Sequence, residues 1–338
     1  MKSKAQVLII SLWILVILSV LAISIGHRVS MALRLTRYQR ESLKALYLAK
    51  AGINRAISEL KNDTNGYDSL NETWSTGKDS KDNPIFENIE IKERSGEIFT
   101  ISIVDEERKI NLNNTNEQLL KQELIELFII KEISLDKSEA ENLANIIIDW
   151  IDKDTIKQDT TDEDKIFKNS PLKTPEELLA ILEYFYQNKG ETKFQEKAQE
   201  VYNKIKDVIT VYGDNYKVNV NTASEDVLRI IGRAVAQNIL PDNILDKKKF
   251  GDTVIDEIIS LRKKVGFFEE INVIDILFTT GSEEENVLNH LKTQHLSVKS
   301  DNFRIKVTGK VKNIAKNITA IYNRIETTTK KILSWHES

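Results

Sequence analysis

The stretch VLIISLWILVILSVLAISI, from Val7 to Ile25, decides the fold because it fixes where the chain meets a membrane. It contains no charged residue, no proline and no glycine. A helix over this stretch would be about 28 Å long, which matches the roughly 30 Å hydrocarbon core of a bilayer. Within lipid, each backbone group must find its partner inside the segment, so the stretch predicts a membrane-spanning helix.

The same helix is predicted to continue beyond the membrane. Between residues 28 and 61, apolar side chains recur at helical spacing among charged ones, which is typical of an amphipathic helix. No strong helix breaker lies between Gly26 and Gly52. One helix from Val7 to about Leu60 would be about 80 Å long.

Two features leave alternatives open for this anchor. Ala22, Ser24 and Gly26 form a weak small-residue cleavage site, so an ordinary signal peptide or a plain tether is an alternative interpretation. Arginines follow the span closely, against only Lys2 and Lys4 before it, and this bias by itself favours a cytoplasmic soluble part. The arginines are Arg28, Arg34, Arg37 and Arg40.

Composition limits the classes of protein that remain. The 338 residues leave room for two or three domains after the anchor. With 30% charged and 41% hydrophobic residues, the soluble part is predicted to be globular, and only 4 prolines and 12 glycines favour helix. A net charge of −4 argues against binding nucleic acid through phosphate attraction. The absence of cysteine excludes disulfides, thiolate metal sites and a cysteine nucleophile.

Two β regions are predicted to flank a long helical region. The polar segment 62–84 is typical of a surface loop. A hairpin is predicted after it, with a turn at Ser95–Gly96, on the alternation of Ile89, Ile91, Ile98, Thr100 and Ile103. Three strands are predicted at the other end, over 303–311, 317–326 and 331–335.

The fold class predicted from this order is α+β. A long N-terminal helix packs on a small antiparallel sheet, and a large all-α insertion of the helix-hairpin-helix or SAM-like kind occupies residues 111–297. Separate β and α domains in series would leave both β pieces marginal in size, so the insertion is the more economical arrangement.

An internal repeat lies in the helical region. KINLNNTNEQLL (Lys109–Leu120) and KVNVNTASEDVL (Lys217–Leu228) share the N-x-N pattern, and each predicts an extended segment that leads into a capped helix. The second copy resembles a helix-hairpin-helix module, but its expected hairpin, IIGRAVAQ, holds only Gly232 where Gly-x-Gly is usual. A structural four-helix unit is the favoured interpretation of this region.

Several motifs together resemble the K-type minor pseudopilins of type II secretion systems. They run in order over almost the whole chain: the charge-free start, VDEERKINLN (104–113), IIIDWIDKD (146–154), PLKTPEELLAI (171–181), ITVY (209–212) and the second N-x-N segment. The resemblance implies a pilin-like domain with a large helical insertion. Its implied parts are a leader peptide (1–5), a transmembrane part of the helix (6–26), a pilin-like domain (27–110 and 298–338) and the inserted helical domain (111–297).

The resemblance also implies a role and partners. Such subunits sit at the pseudopilus tip with the I- and J-type minor pseudopilins, where they initiate or regulate filament assembly for protein export. Other pseudopilins, the inner-membrane platform and the prepilin peptidase are the further partners implied. The chain would then be a single-pass inner-membrane protein with its soluble domain in the periplasm.

Leader processing is expected between Ala5 and Gln6, although the family usually has glycine before the cleaved bond and an aromatic or aliphatic residue after it. Ile10 then stands where most pilin-like proteins carry a glutamate, and the first acidic residue is Glu41. A buried carboxylate is costly unless it is paired, so a tip subunit without a partner above it loses nothing by lacking one.

Two further sites are expected from the residues. Leu33, Leu43, Leu46 and Ile53 are predicted to pack partly on the chain's own sheet and partly on partner helices. An acidic cluster suits calcium, which takes six to eight oxygen ligands, although its loop lacks the EF-hand glycine and glutamate. The cluster comprises Asp149, Asp152, Asp154, Asp159, Asp162, Glu163 and Asp164.

No catalytic motif is present in the sequence, so a non-enzymatic protein is predicted. His290 and His295 are five residues apart, which is poor spacing for one face of an α-helix. Two alternative functions remain open. One is a membrane-tethered helix-hairpin-helix protein that captures DNA with Arg262, Lys263 and Lys264, and the other is a minor pilin of a type IV pilus.

Overall fold

The computed structural model describes residues 2–90, 96–152, 167–214, 216–325 and 331–338. Its first element, α1, is one continuous helix of 61 residues, Lys2–Asn62, which confirms the predicted single long helix. The side chains from Ile9 to Arg40 are all exposed, and a buried face begins at Ala45. The long helix is therefore half free and half packed on the rest of the molecule.

The other elements follow in chain order. The helices are α2 (Thr73–Thr76), α3 (Glu117–Ile130), α4 (Lys137–Ile151), α5 (Leu178–Asn188), α6 (Phe194–Ile205), α7 (Glu225–Ile239), α8 (Lys247–Val265) and α9 (Glu283–His290). The strands are β1 (Ile89–Glu90), β2 (Glu97–Asp105), β3 (Ile110–Asn111), β4 (Ile209–Thr210), β5 (Val218–Asn219), β6 (Leu296–Ser297), β7 (Asn302–Val311), β8 (Ile314–Asn323) and β9 (Ile332–Glu337).

Five strands form one antiparallel sheet in the order β1-β2-β7-β8-β9. The predicted C-terminal strands are confirmed, and β8 begins at Ile314 where Asn317 was expected. The predicted hairpin is β1 with β2, and Ile91 and Ser95 of it lie outside the described residues. Since β2 and β7 are neighbours, residues 106–301 form an insertion between adjacent strands of the sheet.

Helix α1 approaches the sheet unusually closely because glycine stands on both sides of the contact. A Cβ at Gly309 of β7 would lie 2.1 Å from the Ala45 carbonyl oxygen and 2.6 Å from the Ala49 nitrogen. A Cβ at Gly52 of α1 would lie 2.5 Å from a methyl group of Val307. The buried face of α1 and the inner face of the sheet share one hydrophobic cluster.

The two N-x-N segments begin two similar helical units, as the repeat predicted. In the first unit β3 pairs in parallel with β4, and in the second β5 pairs in parallel with β6. Asn113 accepts a hydrogen bond from the Leu172 N–H (2.8 Å) and donates one to the Leu172 carbonyl (2.9 Å). Asn221 makes the same pair of bonds with Phe268 (2.8 and 2.9 Å). The second asparagine of each segment thus holds the distant loop of its own unit.

The expected helix-hairpin-helix geometry is not found at Gly232. This glycine lies inside α7, where its Cβ would meet the Gly251 carbonyl oxygen of α8 at 3.1 Å. The connection from α7 to α8, residues 240–246, contains no glycine. Gly232 therefore serves close packing of two helices, and the expectation that it lies in a hairpin was wrong.

The segment 62–84, predicted as a surface loop, is partly buried. It contains α2, and Trp74 is buried with its ring edge-on to Phe303 at 5.2 Å between centroids. Asp68 is also fully buried, in an ion pair with Arg324. The polar composition of the segment did not indicate that Trp74 and Asp68 are buried, because each residue packs on partners far along the chain.

Candidate functional site on the N-terminal helix

The first half of α1 presents an apolar surface that the described part of the chain leaves uncovered. The large hydrophobic side chains described between Val7 and Ile25 are roughly half to three-quarters exposed. The helix is long and apolar enough to cross a membrane by length and composition. Ile10, which stands where most pilin-like proteins carry a glutamate, is one of these exposed apolar residues. Ala5 and Gln6 belong to the backbone of α1.

The second half of α1 divides into an inner and an outer face. Ala45, Leu48 and Ala49 are buried against the sheet. Leu43 and Tyr47 are four positions apart and so share one face, and they are 57% and 69% exposed. We call this pair the outer patch. It points away from the chain's own sheet.

The structure divides the predicted interface residues between these faces. Leu33 is 65% exposed and lies between the membrane segment and the sheet, and Leu43 belongs to the outer patch. Leu46 is half-buried and packs against the core of the sheet, while Ile53 is only 1% exposed within that core. Leu33 and Leu43 are therefore available to a partner, whereas Ile53 stabilises this chain.

Three ion pairs fix the rotation of α1 on the sheet. Glu41 pairs with Lys312 (2.7 Å) and Lys44 pairs with Glu97 (2.7 Å). Glu97 and Lys312 lie at the same end of the β2–β7 pair, so the helix is held at the end nearest its exposed half. Lys50 of α1 also lies 3.0 Å from Glu337 of β9. The hydrogen bond from Lys312 lowers the pKa of the Glu41 carboxyl, which keeps the pair charged at neutral pH. These contacts keep the outer patch turned outward.

Of the expected calcium ligands, only Asp149 and Asp152 lie within the described residues. Asp149 is buried in the last turn of α4, and Asp152 is the residue that ends this helix. Asp149 also lines a cavity of about 460 Å³ between α4 and α5, beside Phe167 and Tyr184. Asp154, Asp159, Asp162, Glu163 and Asp164 lie outside the described residues.

The basic residues of the DNA-binding alternative are partly engaged within the chain. Arg262 donates hydrogen bonds to the carbonyls of Val220 (2.7 Å) and Ala223 (2.8 Å), so it holds the start of the second unit. Lys263 pairs with Glu225 at 2.8 Å. These contacts do not favour a basic surface dedicated to phosphates.

A buried polar junction, which the sequence did not reveal, joins the sheet to the helical insertion. Asp105, the last residue of β2, accepts hydrogen bonds from the hydroxyls of Thr222 (2.6 Å) and Ser300 (2.7 Å). Glu107 accepts two more, from the Asp301 N–H (3.0 Å) and the Asn302 amide (2.8 Å). Burial raises the pKa of Glu107 to about 8, and the Asp105 charge adds to this effect.

Arg324 completes the junction from the end of β8. It donates to Asp63 (3.0 Å) and to Asp68 (2.6 Å), and burial nevertheless raises the pKa of Asp68 to about 7. The carboxylates of Asp63, Asp68 and Glu72 lie within 4.8 Å of one another. Since Arg324 already neutralises two of them, this group is a salt-bridge network that ties the end of α1 to the sheet.

Comparisons with known proteins agree with these features. Residues 6–54 match the PilX N-terminal family. A chain in the crystal structure of the GspK-GspI-GspJ complex from the enterotoxigenic Escherichia coli type 2 secretion system has a similar fold, with a TM-score of 0.59 and 18% identity. The match covers 90% of this chain and 99% of that one. A search of curated protein sequences gave no match. These findings support the resemblance to K-type minor pseudopilins, and the chain has a pilin-like α+β fold with a large helical insertion.

Proposed function

We propose that this chain is a non-enzymatic minor pseudopilin at the tip of a type II secretion pseudopilus, where it initiates or regulates assembly. The observation that carries the proposal is the exposed surface of α1, which presents apolar side chains from the membrane segment to the outer patch without cover from its own sheet. The similar chain of known structure belongs to a complex of GspK, GspI and GspJ. I- and J-type minor pseudopilins are accordingly the proposed partners, together with the other pseudopilins and the inner-membrane platform.

The position of the insertion supports a role at the tip. Lys312, in the turn between β7 and β8, pairs with Glu41 at the end of the sheet nearest the membrane segment. The insertion leaves from Asp105 and returns at Asn302, at the opposite end, where Arg324 pairs with Asp63 just after α1. The helical units are therefore attached at the membrane-distal end of the sheet. A bulky structure there would hinder the addition of another subunit above it.

Co-purification tests the proposed interface. The double variant Leu43→Asp, Tyr47→Asp places charge on the outer patch without touching the core of the sheet. We expect it to lose co-purification with the I- and J-type subunits from detergent-solubilised membranes. Ile276→Asp, which charges an apolar residue 78% exposed on the helical insertion, is the matched control and should retain both partners. An unchanged complex in the double variant would contradict the interface.

Leader processing is a separate test of the same class of protein. We propose that the prepilin peptidase cleaves between Ala5 and Gln6 and leaves an inner-membrane anchor with the soluble part in the periplasm. Intact mass of the protein from membranes should then lack residues 1–5, with or without one added methyl group. An intact N-terminus would favour a plain tether, and loss of the whole span near Gly26 would indicate a signal peptide.

The two alternative functions have their own readouts. A gel-shift assay at physiological salt tests the DNA-binding alternative. Lys264 is the basic residue of the 261–264 turn that makes no ion pair within the described part of the chain. Co-purification with type IV pilus subunits, and not with secretion pseudopilins, would assign the chain to the pilus.

A further inference from the structure

Two histidines that the sequence separates are brought together by an unusual helical turn. His290 ends α9, and the π-helical turn Leu291–His295 follows it directly. In an α-helix, residues five apart point in different directions, whereas a π-helical turn, with its i→i+5 hydrogen bonds, brings residue i+5 closer to the face of residue i. The two imidazole rings are 5.3 Å apart between centroids, at an interplanar angle of 42°. The expectation that this spacing keeps the rings apart was wrong.

The hydrogen-bonding capacity of His295 is not fully used within the chain. His295 is only 8% exposed, and its Nε2 atom is buried without a hydrogen-bond partner. Buried polar atoms are nearly always paired, so an orphan of this kind calls for an explanation. π-Helical turns occur frequently at functional sites, and this one places the ring that carries the orphan nitrogen beside a second imidazole.

The surroundings of His295 favour its neutral form. Burial lowers the pKa of His295 to about 4, and His290 and Lys217 act in the same direction. Lys217 donates a hydrogen bond to the Thr293 carbonyl at 2.8 Å, and the nearby Lys292 is paired with Asp275 at 2.6 Å. A neutral imidazole is the form that binds a metal ion.

We propose that His290 and His295 form a two-imidazole site for a divalent transition-metal ion such as copper, nickel or zinc. Imidazole is a preferred ligand of these ions. With metal–nitrogen distances of about 2.1 Å and a tetrahedral angle, two ring centres lie about 5.2 Å apart, against 5.3 Å here. This site is independent of the proposed pseudopilin function and of the calcium cluster.

The remaining coordination positions are open. Among the described residues, no third histidine or acidic side chain forms a compact ligand group with this pair. Water or a side chain from another protein would complete the shell. The site would hold together the end of α9 and the following strand β6, which closes the second helical unit by pairing with β5.

Electron paramagnetic resonance with copper tests the site in the full chain. The protein is purified in detergent with a tag that contains no histidine, and one equivalent of Cu²⁺ is added at pH 7.5. Electron spin echo modulation counts the coordinated imidazoles, and we expect two. His290→Ala, at a half-buried position that leaves the core intact, should remove the two-imidazole signature and weaken binding at least tenfold by titration.

His336→Ala is the matched control, since His336 is an exposed histidine on β9 and lies outside the pair. It should bind copper as the wild type does. A spectrum with a single imidazole, binding through the N-terminal amine alone, or equal affinity in the wild type and His290→Ala would overturn the proposal. Zinc titration of the same proteins provides a second readout, with the same loss expected in His290→Ala.

Discussion

At the scale of single residues, the side chain of the second asparagine in each N-x-N segment takes the place of a backbone hydrogen-bonding partner. Its amide supplies one acceptor and one donor to the backbone of a loop more than forty residues away, Leu172 for Asn113 and Phe268 for Asn221. Asparagine can do this because its side chain carries the same pair of groups as a peptide bond. The repeat in the sequence thus repeats the same pair of hydrogen bonds between an asparagine side chain and the backbone of a distant loop.

We expect Asn221→Ala to destabilise the protein by about 3 kcal/mol, because it leaves the buried N–H and carbonyl of Phe268 without partners. Asn113→Ala should cost less, since Asn113 is only half-buried whereas Asn221 is buried. Urea unfolding of both variants measures the difference. Asn286→Ala, at an exposed position of α9, is the control and should stay within about 0.5 kcal/mol of the wild type.

The junction carboxyl of Glu107 makes stability depend on pH. Its pKa in the folded chain is about 8, against 4.5 for a free side chain, so the folded state binds more protons between these values. Stability that is present at low pH is therefore lost as the pH rises through this window. Between pH 6.5 and 8.5, Glu107 alone should account for a loss of about 2 kcal/mol.

Melting curves at these two pH values test this direction. We expect the wild type to melt lower at pH 8.5, and Glu107→Gln to reduce this dependence because an amide does not ionise. Part of the pH dependence of the Tm should remain in this variant, because two other buried carboxyls also titrate in this range. The pKa of Asp68 is raised to about 7, and burial raises the pKa of Glu123 to about 8. Glu191→Gln, at an exposed carboxyl, should keep the wild-type dependence. A variant at Glu107 with unchanged dependence would show that this carboxyl is ionised throughout.

At the scale of elements, the contact between α1 and β7 depends on the absence of a side chain at Gly309. We expect Gly309→Ala to cost about 3 kcal/mol, because the new Cβ would meet backbone atoms of Ala45 and Ala49 that cannot move independently of the helix. Denaturant unfolding measures the cost. Gly66→Ala is the control, since a Cβ there meets nothing within 4 Å. Equal stability of the two variants would mean that α1 shifts easily on the sheet.

Elements defined by a local pattern could be predicted, whereas contacts between distant segments could not. The alternation over 303–311 and the helical spacing of α1 depend on neighbours in the sequence, and both elements were predicted correctly. The burial of Trp74 depends on Phe303, and the position of Gly232 depends on Gly251. No local pattern reports such pairs. The prediction of a surface loop was therefore wrong at Trp74, and the prediction of a helix-hairpin-helix turn was wrong at Gly232.

The same reasoning applies to the candidate sites. The amphipathic pattern of α1 predicted that Leu43 would be available to a partner, but it did not separate Leu43 from Ile53, because the boundary between faces depends on where the sheet lies. The pairing of His290 with His295 was missed because the spacing rule assumed an α-helix, and a π-helical turn has a different period.

At the scale of the whole molecule, the chain combines an anchor, a sheet and two helical units through one buried junction. Thr222 of the second unit, Asp105 of the sheet and Ser300 at the return of the chain share hydrogen bonds, and Arg324 links this group to the end of α1. A force applied to the helical insertion is therefore transmitted to the helix that anchors the protein.

We propose that calcium stabilises the first helical unit through the acidic cluster that begins at Asp149 and Asp152. Oxygen-only ligands of this kind suit calcium. Binding to the folded state alone stabilises it by about 2.7 kcal/mol at a concentration about one hundred times Kd, which corresponds to a rise in Tm on the order of 5 °C or more. Millimolar calcium should raise the Tm of the full chain in detergent, and a chelator should reverse the change.

The decisive quantity is the calcium-induced difference in Tm, because a substitution at the buried Asp149 also lowers stability by itself. The double variant Asp149→Asn, Asp152→Asn should lose this difference, whereas Asp207→Asn, at an exposed position after α6, should retain it. Magnesium should have a smaller effect, since it gives up its water ligands reluctantly. If millimolar calcium leaves the Tm of the wild type unchanged, the cluster is a solvated surface and the first unit is stable without a metal ion.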